Sequence, residues 1–252
     1  FLGLKPLFEN GYRLTFRSLL PCIELVSAAL ITAVIVTLPF IWDKIDSAEY
    51  LITGPFDLIR ERFNAAYGQY TASSLNAFNF WGVAAMWESD DTRFLGITYR
   101  TIGTLIFGAV YALVAGMLVR FTASLRTKDL SDYGYYVFEA ITLVLFTLYL
   151  FVTRAHERHL LPTIVFFTLI TYRTWVFWYI YAVVSCVYVA NMVYSYIQLT
   201  TDYKGIPDSL SGYFIPGIFS LYLIGYIIVL LSFVINTARH ENSFDTTAPR
   251  TP

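Results

Sequence analysis

Six apolar segments alternate with polar connections along the chain. Crossing the roughly 30 Å hydrocarbon core of a bilayer takes about 20 helical residues, and most of the segments approach or reach that length. The segments are 19–42, 97–119, 135–152, 160–172, 175–197 and 214–235. This pattern predicts an all-α fold, a polytopic transmembrane helical bundle with about six membrane segments.

The fourth segment, 160–172, is shorter than the others. Its 13 residues rise only about 20 Å as a helix, against a core of about 30 Å. The sequence therefore predicts a short or tilted helix whose final Arg173 extends its guanidinium to the interface. A re-entrant segment is the alternative.

Composition agrees with a membrane protein and excludes a soluble fold. Charged residues make up 14% of the chain and hydrophobic residues 57%, whereas soluble domains carry about 25% charged residues. The formal net charge of -1 gives no reason to expect nucleic acid as a partner. Cys22 and Cys186 lie in or beside apolar segments, so we expect packing residues and no disulfide.

Basic residues predict the orientation, because cytoplasmic loops are enriched in Lys and Arg. If every segment crosses, one face receives Lys5, Arg13, Arg17, Arg120, Arg126, Lys128, Arg173 and Arg239. Both termini should then be cytoplasmic, with the connections 43–95 and 153–159 extracytoplasmic. We expect one transmembrane domain over 1–240, a disordered polar tail over 241–252, and, since the chain opens on Phe1, the C-terminal part of a longer protein.

The long connection 43–95 contains an amphipathic pattern. Gly54-Pro55 suits a helix start, and the apolar residues that follow recur on one helical face. They are Phe56, Ile59, Phe63, Ala66 and Tyr67. We expect a helix lying on the membrane surface, either as a lid over the bundle or as a guide for substrate.

Further along the same connection, residues 76–81 (the asparagine loop) place two amides among aromatic rings. Asn76, Asn79 and Trp81 suit sugar binding, but on these residues alone an ordinary interfacial aromatic belt is favoured. Asp90 and Asp91 follow. Adjacent carboxylates could bind a metal, yet without a companion His or Glu a solvated turn is the favoured interpretation.

Residues 153–159 (the charged turn) hold five ionisable side chains: Arg154, His156, Glu157, Arg158 and His159. On a helix Arg154 and Arg158 would share one face, with Glu157 orienting both. One carboxylate cannot neutralise two guanidiniums, so the surplus charge predicts an anion site, and phosphate fits guanidinium geometry. Lipid headgroups are the alternative ligand, and a metal on the two histidines lacks further ligands.

The asparagine loop and the charged turn together resemble the GT-C superfamily of membrane glycosyltransferases, which use polyprenyl-phosphate-linked sugars. The likeness is to an Arg-x-His-Glu-Arg-Tyr-Leu-x-Pro pattern and an Asn-Ala-x-Asn-Phe-Trp pattern. It extends over about 55–196, including Asn191, and His159 stands where the bacterial pattern often has Tyr. It is similar to the mannosyl- and glucosyltransferases of that superfamily.

The resemblance implies transfer of a hexose from a polyprenyl-phosphate donor to an acceptor on the extracytoplasmic face, with this chain binding the phosphate. It implies that the loop and the turn lie side by side. The substrate-binding residues that it implies are Arg154, His156, Glu157, Arg158, Asn76, Asn79 and Trp81.

The acidic base of the superfamily lies in an early extracytoplasmic loop, which has no counterpart before Leu19. The resemblance therefore implies a base in a missing N-terminal part, on the same or another polypeptide. No cofactor is evident, a divalent metal is left open, and the partners are the lipid-linked donor and membrane lipids, in a bacterial plasma membrane or the endoplasmic reticulum. The alternative is a non-catalytic membrane subunit or lipid-binding scaffold. A transporter comes third, because Glu24 and Glu139 are almost the only charges inside the spans.

Overall fold

The computed structural model describes residues 16–124 and 130–245. Its helices are α1 (Phe16–Ile41), α2 (Ala48–Gln69), α3 (Phe80–Ala84), α4 (Tyr99–Ser124), α5 (Leu130–Phe151), α6 (Leu161–Thr168), α7 (Trp175–Thr200) and α8 (Asp208–Asp245). Its strands are β1 (Ser74–Leu75), β2 (Arg93–Phe94), β3 (Ile97–Thr98) and β4 (Ala155–His156). The chain divides into two compact units, 1–70 and 71–252, and the single transmembrane domain over 1–240 stays a prediction.

Five helices of the described residues are long and apolar enough to cross a membrane. They contribute the segments Leu19–Lys44, Tyr99–Phe121, Gly134–Phe151, Trp175–Thr200 and Asp208–Ala238. The chain is therefore a predominantly helical, multi-pass integral membrane protein. The sixth segment and the orientation stay predictions, and Lys5, Arg13, Arg17, Arg126 and Lys128 lie outside the described residues.

The first unit contains α1 and α2. Helix α2 begins at Ala48, because the Ser47 hydroxyl accepts a hydrogen bond from the Tyr50 N–H at 3.1 Å and caps the helix there. The predicted start at Gly54-Pro55 is wrong, and Pro55 lies inside the helix. Phe56, Ile59 and Phe63 are exposed on this unit, as a surface-lying helix requires, but its membrane placement stays a prediction.

The second unit is built around α5, which packs against α4, α6 and α8. Its buried side chains are large and aromatic. The Tyr222 ring of α8 meets the rings of Phe146 and Tyr149 edge to face, at centroid distances of 6.3 and 5.7 Å. Such pairs add to the free energy gained from burial alone, so aromatic packing joins α5 to α8, the last helix of this unit.

The short fourth segment runs antiparallel to α5. A 3₁₀ turn over Glu157–Leu160 leads into α6, and a second one over Thr171–Arg173 follows it. The Arg173 guanidinium lies 4.5 Å from the ring centre of Tyr135, near the opposite end of α5 from the charged turn. The segment therefore reaches the far end of α5 and does not turn back, which argues against the re-entrant alternative.

The last helix is longer than the apolar pattern predicts. Helix α8 begins at Asp208 and continues to Asp245, whereas the apolar run covers 214–235. A helix elongates by one hydrogen bond per added residue whether or not the side chain is apolar. Residues 241–245, predicted as part of a disordered tail, are helical, and 246–252 lie outside the described residues.

A close approach between α4 and α5 generates a test of this packing. A Cβ on Gly103 of α4 would collide with the Phe151 carbonyl oxygen and lie 3.3 Å from the Trp81 indole nitrogen, whereas Gly108 on the same helix faces open space. We expect Gly103→Ala to lower the free energy of unfolding by about 1–3 kcal/mol. Gly108→Ala should leave it unchanged or raise it by up to about 1 kcal/mol. Denaturant unfolding in detergent micelles measures both, and equal effects would contradict the packing.

Candidate functional site

The asparagine loop and the charged turn begin at a shared pair of strands. β1 pairs with β4 in parallel, with Ser74 opposite Ala155 and Leu75 opposite His156. The Arg154 N–H donates to the Ser73 carbonyl oxygen at 3.0 Å. The two stretches, far apart in sequence, therefore lie side by side at one end of the second unit's helices, here called the site end.

Asn76 closes this pairing and turns the chain into the loop. It bridges to His156, and its φ of +62° lies in the left-handed region that Asn tolerates better than most residues. Its carbonyl oxygen accepts a hydrogen bond from the Asn191 amide nitrogen of α7 at 2.8 Å. Both of these contacts are made by the backbone of Asn76.

Asn79 and Trp81 bind the protein's own backbone. The Asn79 Oδ1 accepts from the Gly82 N–H at 2.8 Å and so caps α3, while its Nδ2 donates to the Tyr149 carbonyl oxygen at 3.0 Å. The Trp81 indole N–H donates to the Phe151 carbonyl oxygen at 2.6 Å. With Asn76, these side chains are buried. Their contacts give them a positioning role, and the substrate binding that the resemblance implies for them stays a prediction.

Asp90 is fully buried and forms an ion pair with Arg154. The Arg154 Nε lies 2.7 Å from Asp90 Oδ2 and the Nη2 lies 3.2 Å from Oδ1, so both carboxylate oxygens are engaged. The Thr153 hydroxyl adds a third bond, at 3.2 Å from Oδ2. The solvated-turn interpretation of Asp90 is wrong. Asp91 does fit that interpretation, because its pair with Arg100 at 2.8 Å is exposed.

The charged turn is not helical, so the predicted shared face of Arg154 and Arg158 is wrong. Residues 155–156 form β4, and a 3₁₀ turn follows. Arg154, with φ at +63°, directs its guanidinium to Asp90. Asp90 neutralises the guanidinium of Arg154, so Arg154 does not supply the surplus positive charge that the sequence predicts, and only Arg158 of the two arginines could supply it.

Arg158 is the guanidinium of this turn that remains exposed. Among residues 16–124 and 130–245, no carboxylate lies within ion-pair distance of it. Glu157 is buried at 9% exposure, and no arginine of the described residues forms an ion pair with it, contrary to the expectation that it orients both.

The two histidines of the turn lie beside Arg158 and are hydrogen-bonded to each other. The backbone N–H of His156 donates to His159 Nδ1 at 3.1 Å, and the two imidazole rings meet edge to face at a centroid distance of 5.4 Å. Burial, and then the charge of Arg158, lower the pKa of His156. Burial, His156 and Arg158 lower the pKa of His159. Both imidazoles are therefore neutral at pH 7, and His159, whose Nδ1 accepts, carries its proton on Nε2.

Asn191 joins α7 to the loop; sequence reasoning included it in the resemblance but did not predict its contacts. It is fully buried, and its Oδ1 accepts from the Phe78 N–H at 3.2 Å and from the Tyr149 hydroxyl at 3.1 Å. An amide in an apolar span was the available signal, because polar groups at membrane depth need partners. Among the described residues no group of three or more His, Cys, Asp or Glu side chains could hold a metal ion.

No family model, curated protein or solved structure matches this chain. The geometry of the site end is therefore the basis for a functional assignment. The resemblance to GT-C glycosyltransferases stays a prediction.

The buried ion pair predicts a large and specific effect of removing its acid. We expect Asp90→Asn to lower the free energy of unfolding by about 3 kcal/mol, because it leaves the Arg154 charge largely buried without its counterion. Asp91→Asn is the matched control, and losing its exposed pair should cost about 1 kcal/mol or less. Adding Arg154→Gln to Asp90→Asn should recover part of the loss. Equal effects of the two single variants in denaturant unfolding would refute the assignment.

The histidine pair predicts a pH dependence of stability. Since the folded pKa of each imidazole lies below its usual 6.5, the unfolded chain binds protons first as the pH falls. Stability is therefore full above pH 6.5 and is lost as the pH drops through the folded pKa values. We expect His159→Gln, whose amide oxygen still accepts the His156 N–H, to reduce this loss between about pH 8 and pH 5. His240 is present in both the unmodified chain and the variant, so its contribution to the pH dependence of stability cancels in the comparison. An unchanged profile would contradict the neutral pair.

Proposed function

We propose that this chain is part of a membrane glycosyltransferase and binds the phosphate of a polyprenyl-phosphate-linked hexose through Arg158. The hexose passes to an acceptor on the extracytoplasmic face. One observation carries the proposal: Arg158 presents an exposed guanidinium, without a carboxylate partner in the described part of the chain, beside two neutral histidines at the end of an apolar helical unit.

The charges of Arg158 and the two neighbouring histidines suit a phosphodiester. A polyprenyl-phosphate-linked sugar carries one formal negative charge, and the exposed guanidinium of Arg158 supplies one positive charge in a fork that matches phosphate oxygens. The neutral His159 adds an N–H donor at Nε2 without adding charge. The apolar helices that lead to the charged turn provide the surroundings that a polyprenyl chain requires.

The same arrangement suits the departure of the lipid phosphate. When the acceptor hydroxyl attacks the anomeric carbon, the bond from that carbon to the phosphate oxygen breaks through an oxocarbenium-like state. The phosphate becomes a monoester with a charge of about -1.5 to -2 at neutral pH. A fixed guanidinium therefore binds the leaving group more strongly in the transition state than in the ground state, which is the condition for catalysis.

The other predicted residues take positioning roles in this proposal. Arg154, held by Asp90, fixes the direction in which the chain enters the turn. Asn76, Asn79 and Trp81 hold the neighbouring loop. No catalytic base is assigned among the described residues, because Asp90 has both oxygens on Arg154 and Glu157 is buried.

Binding of polyprenyl phosphate tests the proposal directly. In nanodiscs, we expect Arg158→Ala to weaken binding by about 10- to 100-fold, the value of one charge-assisted interaction of roughly 1.5–3 kcal/mol. Arg93→Ala, at another exposed arginine on β2, should bind as the unmodified chain does. Unchanged binding by Arg158→Ala would rule out this phosphate site.

Transfer of the hexose separates the enzyme from a lipid-binding scaffold. The test uses the enzyme assembled with every part that it requires. We expect Arg158→Ala to lower its turnover about 100- to 1,000-fold, the effect of removing one hydrogen-bond donor to a developing charge in other enzymes, while its expression level is unchanged. If the chain binds phosphatidic acid as tightly as polyprenyl phosphate, and Arg158→Ala leaves transfer unchanged, the scaffold assignment is correct.

A further inference from the structure

A groove of about 380 Å³ lies between α7 and the beginning of α8, within the second unit. Its lining is almost entirely apolar and includes Cys186, Val189, Val193 and Ile197 of α7 and Leu210 and Phe214 of α8. Cys186, predicted from sequence as a packing residue, is exposed and forms no disulfide. The Cys22 side chain lies outside the described part.

We propose that this groove binds one acyl chain of a bilayer phospholipid. Both of its helices belong to the five that are long and apolar enough to span a membrane. Its lining is open to the surroundings, with Val189 57%, Val193 51% and Leu210 57% exposed. At this depth the surroundings are hydrocarbon, so a lipid chain is the occupant that the fold itself supplies.

The dimensions of the groove match one leaflet. Its α7 wall extends from Cys186 to Ile197, which is about 16 Å along a helix, and half of the hydrocarbon core is about 15 Å. Its volume corresponds to about a dozen groups the size of a water molecule, at roughly 30 Å³ each, and a methylene group is of similar size. One extended acyl segment, lying parallel to α7, satisfies both measures.

The groove shares a wall with the asparagine loop. The rings of Tyr194 and Phe214, which line it, stack at 5.9 Å. Both also contact the fully buried Phe78 ring of the loop, at 4.8 and 5.8 Å. A bound chain would pack against both rings and so support their contacts with Phe78. The lipid would therefore hold the loop in place, and this inference does not depend on glycosyl transfer.

Photocrosslinking tests the site in the intact chain. The protein is reconstituted in nanodiscs with phosphatidylcholine that carries a diazirine midway along one acyl chain, irradiated, and mapped by peptide mass spectrometry. We expect adducts to concentrate on 186–197 and 206–214. Val193→Trp fills the groove and should lower these adducts about tenfold, the equivalent of roughly 1.4 kcal/mol in occupancy.

Val183→Trp is the matched control, because Val183 is also an exposed valine of α7 but does not line the groove. Its adduct pattern should equal that of the unmodified chain. If Val193→Trp fails to fold, displacement of the adducts by excess unlabelled phosphatidylcholine in the unmodified chain gives the same answer.

Three outcomes would overturn the proposal. Adducts spread evenly over all lipid-facing helices would mean general bilayer contact without a site. Displacement by equimolar polyprenyl phosphate, but not by excess phosphatidylcholine, would assign the groove to an isoprenoid chain. Absence of adducts from 186–197 and 206–214 would mean that protein covers the groove.

Discussion

The ion pair between Asp90 and Arg154 fixes the site end of the second unit. A carboxylate without water is stable only when its charge is matched and its oxygens are hydrogen-bonded, and Asp90 is fully buried. Its backbone is held too: its N–H donates to the Thr71 carbonyl oxygen and its own carbonyl accepts from the Arg100 N–H. The pair therefore ties the segment before α4 to the turn after α5.

Around this pair, buried amide and indole N–H groups donate hydrogen bonds to backbone carbonyl groups that have no partner within a helix. Helices satisfy their own backbone groups except at their ends, the chain between them does not, and an unpaired group away from water is costly. Asn79, Trp81 and Asn191 supply the missing partners on the carbonyl groups of Tyr149, Phe151 and Asn76. These bonds hold the loop beside the charged turn, in which Arg158 is exposed.

The fold was predictable where hydrophobicity alone decides it. Five of the six predicted apolar segments correspond to helices long enough to cross a membrane, because no other backbone arrangement of such segments satisfies its hydrogen bonds in lipid. Boundaries were less predictable. Helix α2 begins after the Ser47 cap and not at Gly54-Pro55, and α8 extends beyond its apolar run. Helix caps and helix elongation do not depend on hydrophobicity, so the apolar pattern does not predict these boundaries.

The sequence by itself determined that the chain belongs in a membrane, and it singled out the two polar stretches that meet there. Only the tertiary structure decided what their charges do. A surplus of positive charge at 154–158 follows from counting residues near one another in sequence, but the partner of Arg154 is Asp90, on a different connection. Long-range pairing of buried charges depends on which segments the helices bring together, and no local pattern contains that information.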